Sequence, residues 1–413
     1  MTLHIVRPEI FGVTESSLTL AFGLEDGSGP VDAEARVLLN AESRAVSAGS
    51  ATTRLVRIEG LQPETGYSVE IEVAGAEPTA NDRYFPESVH TLPRPEAAQV
   101  GSFATLNDLH FGEVQFGGIM SEDFESAGES AEFPIARASD TEVPYWQFMN
   151  EDAIEDINGL GVDLTIIKGD IADRGLPEQF EAARRSFARF KAPHHAFLGN
   201  HDYYARNEGI EVDGYALLGQ PSAPRTLELG GWNLVLLETV EPGKHHGVFP
   251  RERREWLEKE LAYSMDARTP SLLFMHHQPV PPEQSHRYPN SIGMNPDHSL
   301  GFFDIVGGNP HVKGVLIGHT HRNRVRRYAP SGDVPFVEVN CTKDYPGGFA
   351  HYRLFEDGSF RQEVRRTSSE RALTHSSRCR DFFGGGYRDF TLGSLETRSF
   401  VAGGASLGTR RGH

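Results

Sequence analysis

The chain has 413 residues, 38% of them hydrophobic, and a formal net charge of −18. This length predicts two or three domains with a sizeable core, and no apolar run of the sequence is long enough to span a membrane. The excess of negative charge argues against non-specific binding of nucleic-acid polymers. The first residues lack the pattern of a signal peptide, which predicts a cytoplasmic location. Two distant cysteines, Cys341 and Cys379, predict reduced thiols.

Residues 1–98 contain no lysine and consist of short alternating runs, such as Ser17–Phe22 and Tyr67–Val73, separated by turn residues. Such alternation predicts a β-sandwich. The stretch Leu61–Tyr67 resembles the tyrosine-corner stretch of fibronectin type III domains, in which a Tyr hydroxyl ties a loop to the sheet. We therefore predict a fibronectin III-like domain over residues 1–98 that acts as a spacer or a subunit contact.

Five later apolar runs end on residue types that bind metals. The first, Ser102–Leu106, is followed by two such residues two positions apart, which share one face of an extended chain. Open α/β sheets bind ligands at the carboxyl ends of their buried strands, so the five runs predict one common site. In chain order, the residues that follow the runs are Asp108 and His110, then Asp170, then Asn200, His201 and Asp202, then His276 and His277, and finally His319 and His321.

The segments between these runs predict helices and loops. Apolar residues recur at helical spacing up to Gly161, over Pro177–Phe190 and over Phe249–Leu261, which predicts three helices that alternate with strands. The acidic stretch 113–143 is predicted to be a solvated loop or a rim of the site. The Pro-rich stretch 279–300 is too irregular to predict an element and is a candidate lid.

After His321, the runs Pro335–Asn340, Ala350–Phe355 and Ser359–Arg365 predict an antiparallel closing of the second sheet. Residues 367–413 are rich in Gly and Arg and predict a C-terminal tail. The composition leaves two alternatives open: a flexible tail, or a segment that docks on its own domain or on a neighbouring subunit. Homo-oligomerisation through this tail or through the N-terminal domain is thus left open.

The order of the motifs Asp-x-His, Gly-Asp, Gly-Asn-His-Asp, a His after an apolar strand and Gly-His-x-His resembles the calcineurin-like metallophosphoesterase superfamily. The resemblance covers roughly Val100–Arg366 and implies a four-layer α/β/β/α sandwich over residues 99–366. It implies two divalent or trivalent metal ions, and the donor types suit Mn, Fe, Zn or Ni. The implied ligands are Asp108, His110, Asp170 and His321 for one ion, and Asp170, Asn200, His276 and His319 for the other.

In this ligand set Asp170 bridges the two ions, and His276 is preferred to His277 because it comes first after its strand. The resemblance implies hydrolysis by attack of a metal-bound hydroxide on phosphorus. It places His201 at the leaving oxygen, with Asp202 orienting the imidazole or raising its basicity. Purple acid phosphatases carry a Tyr three positions after the bridging Asp, where this chain has Asp173. The chain therefore looks more like bacterial class III cyclic-nucleotide phosphodiesterases.

The leading prediction is a phosphoesterase that hydrolyses small phosphodiesters, cyclic nucleotides included. A phosphomonoesterase or a nucleotide pyrophosphatase is the alternative within the same chemistry. A metal-free scaffold that kept the fold is the alternative of another class, but a scaffold is expected to lose ligands, whereas every ligand position here is filled. The predicted partner is a small phosphate ester, and neither a nucleic-acid polymer nor a membrane is predicted as one.

Overall fold

The computed structural model describes residues 2–49, 51–118, 129–130, 132–281 and 292–404. Strands of alternating burial fill the N-terminal part, and side chains from two antiparallel sheets share one core that includes Leu20, Phe22, Val37 and Ile71. The strands are β1 (His4–Val13), β2 (Ser17–Asp26), β3 (Gly29–Pro30), β4 (Ala35–Leu39), β5 (Glu42–Ser47), β6 (Arg54–Glu59), β7 (Gly66–Val73) and β8 (Ser88–His90).

One N-terminal sheet contains β1, β2, β3 and β6, and the other has the order β5-β4-β7-β8. The tie predicted for Tyr67 is present, because its hydroxyl accepts a hydrogen bond of 2.9 Å from the backbone N–H of Gln62. This contact fixes the turn before β7 on the sheet. The N-terminal part is therefore β-rich, and its assignment to the fibronectin type stays a prediction.

From residue 99 onwards strands and helices alternate. The chain breaks fall where the sequence predicts them: Gly161 ends a helix with φ of 64°, and Pro177 opens the next one. The elements are β9 (Gln99–Leu106), β10 (Gln115–Gly117), β11 (Ile135–Arg137), α1 (Tyr145–Leu160), β12 (Leu164–Lys168), α2 (Pro177–Phe187), β13 (His194–Phe197), α3 (Gly214–Leu218), β14 (Arg225–Leu229), β15 (Trp232–Leu236), α4 (Arg251–Asp266), β16 (Ser271–Met275), α5 (Pro296–Gly308), β17 (Val312–Ile317), β18 (Arg324–Arg326), β19 (Phe336–Glu338), β20 (Gly348–Phe355), β21 (Ser359–Arg366), α6 (Glu370–Cys379), α7 (Tyr387–Thr391), α8 (Leu395–Arg398) and β22 (Ser399–Gly403).

These strands form two six-stranded mixed sheets, with the orders β13-β12-β9-β20-β21-β22 and β14-β15-β16-β17-β19-β18. Strands β9, β12 and β13 are parallel, as are β15, β16, β17 and β19. Parallel strands place their carboxyl ends at the same edge. The strands that the motifs follow are all among these parallel strands.

Successive residues of β12 show the layering. Ile166 packs between the two sheets with Phe103 and Phe274, whereas Ile167 packs on the opposite face against helices α1 and α2. Helices α4 and α5 cover the outer face of the second sheet through a cluster that includes Leu257 and Phe302. The α/β fold predicted from the sequence is confirmed, as four layers in the order helices, sheet, sheet, helices.

Two predictions about individual elements were wrong, and a third, for the acidic stretch, was incomplete. Strands β20 and β21 belong to the first sheet, where Tyr352 pairs with Phe103 of β9 and stacks on its ring at 4.7 Å. An apolar strand pattern does not specify which of two sheets it joins. Helix α5 begins at Pro296, inside the stretch predicted to be irregular. The acidic stretch contains the paired strands β10 and β11. Residues 119–128 and 131 of this stretch, and 282–291 of the candidate lid, lie outside the described residues.

Residues 370–403 resolve the two alternatives for the C-terminal segment in favour of docking. They form three helices and the edge strand β22, which pairs with β21. Arg398 is 1% exposed, and its guanidinium donates to the carbonyls of Ile10 and Phe11, each at 2.8 Å. The predicted tail is therefore folded over this range and bound to the N-terminal sheets. Its last residues, 405–413, lie outside the described part of the chain.

The helices that the structure describes are too short or too polar to cross a bilayer.

Candidate metal centre

The predicted ligands lie together at the carboxyl edge of the two sheets, and five of the seven have backbone angles that residues other than Gly rarely adopt. Their φ angles are positive, which costs energy and persists only where surrounding contacts hold the chain in place. Such strain is concentrated at functional sites. The residues are Asp108 (55°), His110 (46°), Asp170 (49°), His319 (67°) and His321 (52°).

Two glycines allow the strand ends to approach each other. A Cβ on Gly169, which has φ of 86°, would lie 2.6 Å from Nδ1 of His276. A Cβ on Gly199 would overlap the carboxylate of Asp170. Both motifs, Gly-Asp and Gly-Asn, therefore need glycine, because residues of a neighbouring strand end fill the space that a side chain would take.

Asp108, His110 and His321 form a first group, with one donor atom from each lying within 4.8 Å of the others. Nε2 of His110 is 3.3 Å from Nε2 of His321, which is 3.6 Å from Oδ1 of Asp108. Nδ1 of His110 faces Oδ1 of Asp173 at 3.2 Å, so this nitrogen carries the proton and donates to the carboxylate. The Nε2 lone pair of His110 then points into the group, where a cation would stabilise it.

Asp170, Asn200 and His276 form a second group. Nε2 of His276 lies 3.2 Å from Oδ2 of Asp170 and 3.0 Å from Oδ1 of Asn200. Nδ1 of His276 donates to the carbonyl of Lys168 at 2.8 Å, which again directs the Nε2 lone pair inwards. A donor atom of Asp108 lies within 4.8 Å of donors on Asp170 and His276, so the two groups adjoin.

The remaining histidines flank the second group. The ring centroid of His319 lies 5.0 Å from that of His276 and 4.6 Å from that of His277. Nδ1 of His277 is 3.0 Å from the hydroxyl of Thr239. The geometry supports the preference for His276 over His277 as a ligand, and this assignment stays a prediction.

The electrostatics of the two groups favour a positive charge among the donors. Burial alone would raise the pKa of Asp170, but the facing imidazoles, His276 foremost, hold it well below its usual range. Burial likewise opposes the charged form of His276, yet the carboxylates of Asp170 and Asp108 raise its pKa to about 9. Buried oxygen and imidazole donors fit hard or borderline metal ions.

His201 lies next to these groups, but Asp202 does not orient it as predicted. Adjacent residues of a helical turn do not face each other, and residues 201–208 form a 3₁₀ helix. The carboxylate of Asp202 accepts the backbone N–H groups of Gly199 at 2.8 Å, Ala172 at 2.7 Å and Ile171 at 3.2 Å. These hydrogen bonds join two strand-end loops, and none of them goes to the imidazole of His201. The alternative role of Asp202, raising the basicity of His201, stays a prediction.

Asp173 takes the place predicted for Asp202. Nδ1 of His201 donates to the backbone carbonyl of Asp173 at 2.7 Å, and the Asp173 carboxylate lies 3.9 Å from the same nitrogen. With Nδ1 protonated, the other ring nitrogen, Nε2, is the one that can exchange a proton. The N–H of His201 also donates to Oδ1 of Asp170 at 2.8 Å, which ties the histidine to the second group.

Replacing Asp202 with alanine should destabilise the fold by about 1–3 kcal/mol, because it leaves buried N–H groups without an acceptor. Chemical unfolding measured by circular dichroism checks this value. The ratio of rates on substrates with good and poor leaving groups should stay that of the wild type. A normal stability combined with a changed ratio would instead return Asp202 to the role of orienting His201.

The sequence analysis did not find the residues that surround the ligands. Asp173 was noted only because purple acid phosphatases carry a tyrosine at this position. Its spacing of three residues from Asp170 was the one sequence feature that could have indicated its role. Lys168 is fully buried and donates to the carbonyl of Ile317 at 2.6 Å, which joins the two sheets under the site. Asp344 faces His321 from a loop that follows β19. These contacts join residues that are distant in sequence, and no sequence motif indicates them.

The comparison with known proteins agrees with this geometry. A family model described as calcineurin-like phosphoesterase matches residues 102–323, more than half of the chain. The chain belongs to this family. The match contains all seven predicted ligands and His201, and it ends before the loop that carries Asp344. The resemblance inferred from the motifs is thereby confirmed.

Several curated phosphodiesterases are similar to this chain. A 3',5'-cyclic-nucleotide phosphodiesterase of Nostoc is 26% identical over 216 residues, covering 50% of this chain and 77% of the relative. The 3',5'-cyclic adenosine monophosphate phosphodiesterase CpdA of Escherichia coli is 30% identical over 220 residues, covering 51% and 76%. The glycerophosphodiester phosphodiesterase GpdQ of Enterobacter lignolyticus is 27% identical over 183 residues, covering 43% and 64%.

Proposed function

We propose that this protein is a dinuclear metallophosphodiesterase that hydrolyses small phosphodiesters, with cyclic nucleotides among the candidate substrates. The observation that carries the proposal is the pair of adjoining donor groups, each with an imidazole Nε2 that faces carboxylate or amide oxygens. The names of the similar proteins, which are phosphodiesterases of cyclic nucleotides and of glycerophosphodiesters, support a diester rather than a monoester.

Two ions would be held by the ligand sets that the family resemblance implies, with Asp170 common to both. When bound, such ions supply a nucleophile by lowering the pKa of water and polarise the phosphoryl oxygens. Asp173 and the carbonyl of Lys168 hold His110 and His276 with their Nε2 atoms directed inwards. These contacts preorganise the donors, which reduces the energy needed to arrange them on binding.

His201 is proposed to protonate or to stabilise the leaving oxygen. The hydrogen bond from its Nδ1 to Asp173 leaves Nε2 as the nitrogen that carries the transferable proton. The side chain of His201 is 31% exposed, so a substrate can reach it from solvent. The metal-free scaffold is disfavoured because a scaffold has no need to keep both buried donor groups together with this histidine.

A substrate panel tests the proposal. The protein is loaded with Mn²⁺ and assayed on bis-p-nitrophenyl phosphate, p-nitrophenyl phosphate, 3',5'-cyclic AMP and a glycerophosphodiester, with metal content determined by plasma mass spectrometry. We expect two ions per chain and a higher kcat/KM on diesters than on the monoester. A preference for the monoester would support the phosphatase alternative, and hydrolysis of none of the four would contradict the proposal.

A further inference from the structure

A buried polar network lies behind His321, on the side away from Asp108. Its centre is the loop after β19, where Lys343 and Asp344 are fully buried. Nζ of Lys343 lies 3.1 Å from Oδ2 of Asp344 and 2.9 Å from Oε2 of Glu113. Buried charges are retained only where each has a partner of opposite sign, so this loop is held in one arrangement.

The C-terminal segment completes the network. The hydroxyl of Tyr387, at the start of α7, donates to Oδ1 of Asp344 at 2.9 Å. Nε2 of His375, on α6, lies 3.1 Å from the carbonyl of Lys343. Both helices lie beyond the part of the chain that the family model matches. Residues outside the family match therefore hold the loop that faces the site.

Asp344 is placed to act on His321. Its Oδ2 lies 3.8 Å from Nδ1 of His321, which is longer than a hydrogen bond but close enough for the charge to act on the ring. The Lys343 ammonium lies against the same Oδ2 and favours the charged form of the carboxylate. The negative charge favours a proton on Nδ1 of His321, and the lone pair then lies on Nε2, the nitrogen that faces Asp108 and His110.

We propose that Asp344 is a positioning residue for His321 and that Tyr387 holds Asp344 in place, which makes the C-terminal segment a working part of the metal centre. The proposal rests on the ligand role proposed for His321. Asp344 would do for this imidazole what Asp173 does for His110 and the Lys168 carbonyl does for His276. Outer partners of this kind set the tautomer and the orientation of a ligating histidine.

The test measures metal affinity, without reference to activity, by competition of the purified full chain with a chromophoric Mn²⁺ or Zn²⁺ chelator. Removing an outer-shell partner typically costs about 10- to 100-fold in metal affinity, so Asp344→Asn should weaken one of the two ions by this factor. Tyr387→Phe leaves the carboxylate and removes only its hydrogen bond, so its affinity should fall between those of wild type and Asp344→Asn. Circular dichroism reports whether each variant is folded.

Tyr84→Phe is the matched control. Its hydroxyl donates to Oδ1 of Asp389 at 2.6 Å, so the substitution removes the same type of bond to the same helix, α7, without touching Asp344. We expect wild-type affinity for both ions. Cys341→Ala is the second control, because its thiol also lies within 4.8 Å of the His321 and Asp344 donors. A loss with Cys341→Ala and none with Asp344→Asn would assign the orienting role to the thiol and overturn the proposal.

His321→Ala separates this inference from the proposed function. If His321→Ala loses one ion while folded Asp344→Asn and Tyr387→Phe bind both ions normally, the positioning role is wrong and the ligand role stands. If His321→Ala keeps both ions at wild-type affinity, the ligand role itself fails. A weakened ion in Tyr387→Phe with an unchanged Tyr84→Phe would support the inference even if Asp344→Asn did not fold.

Discussion

Replacing Asp170 with alanine is expected to remove both metal ions and to abolish hydrolysis. Asp170 is the residue common to the two proposed ligand sets, and its carboxylate lies between His276 and the backbone of His201. Metal ions supply several kcal/mol of transition-state stabilisation, so kcat/KM on a diester should fall by at least ~10³-fold. Plasma mass spectrometry of the dialysed protein gives the metal content, and the diester assay gives the rate.

Asp163→Ala is the matched control for this substitution. Asp163 precedes the same strand, β12, at its opposite end, where its carboxylate accepts the N–H of Ser102 at 2.7 Å. It should retain both ions and most of the activity. His321→Ala is the intermediate case and should chiefly weaken one ion. Two ions bound to the Asp170 variant would rule out the bridging role.

Replacing His201 with alanine should slow hydrolysis in proportion to the basicity of the leaving oxygen. General acid catalysis is worth ~10²- to 10⁴-fold, and a loss of this size is expected on a cyclic nucleotide, whose ribose alkoxide needs a proton. A nitrophenolate departs without much help, so the deficit should shrink on bis-p-nitrophenyl phosphate. Comparing kcat/KM of variant and wild type on both substrates measures the difference, with chemistry as the rate-limiting step.

The metal content of the His201 variant should stay at two ions, which separates proton donation from ligation. His195→Ala is its control, because this imidazole lies on β13, the strand before His201, and outside the two donor groups. Its rates should match those of the wild type on both substrates. An equal loss on both substrates in the His201 variant, with both metals bound, would assign His201 to positioning the phosphate.

The clustering of the candidate ligands could be predicted because each of them follows an apolar run in the sequence. A buried parallel strand leaves an apolar run, and the site needs a residue such as Asp170 or His276 directly after it. The same pattern explains why the glycines at 169 and 199 occur where strand ends approach each other. The α/β fold could be predicted because apolar runs alternate with segments in which apolar residues recur at helical spacing. Parallel strands need a connection of this kind, usually a helix, between them.

Contacts between distant residues could not be predicted in the same way. The partner of His201 was sought in its neighbour Asp202, but the helical turn directs that carboxylate to backbone N–H groups, and Asp173 from another loop takes the place. The hairpin of β20 and β21 could have joined either sheet, because apolar strands are alike in sequence. Tyr387 lies in a Gly-rich stretch whose composition resembles a flexible tail, although its hydroxyl is buried against Asp344.

The bond between Arg398 and the carbonyls of Ile10 and Phe11 has a consequence for biosynthesis. The first strand leaves the ribosome long before its partner, because the donor and the Ile10 acceptor are 388 positions apart. At about 5–20 residues per second, roughly 20–80 s pass between the synthesis of the two ends. During this time the carbonyls of Ile10 and Phe11 lack the guanidinium that later covers them, so a chaperone that binds early strands would compete with Arg398 for this part of β1.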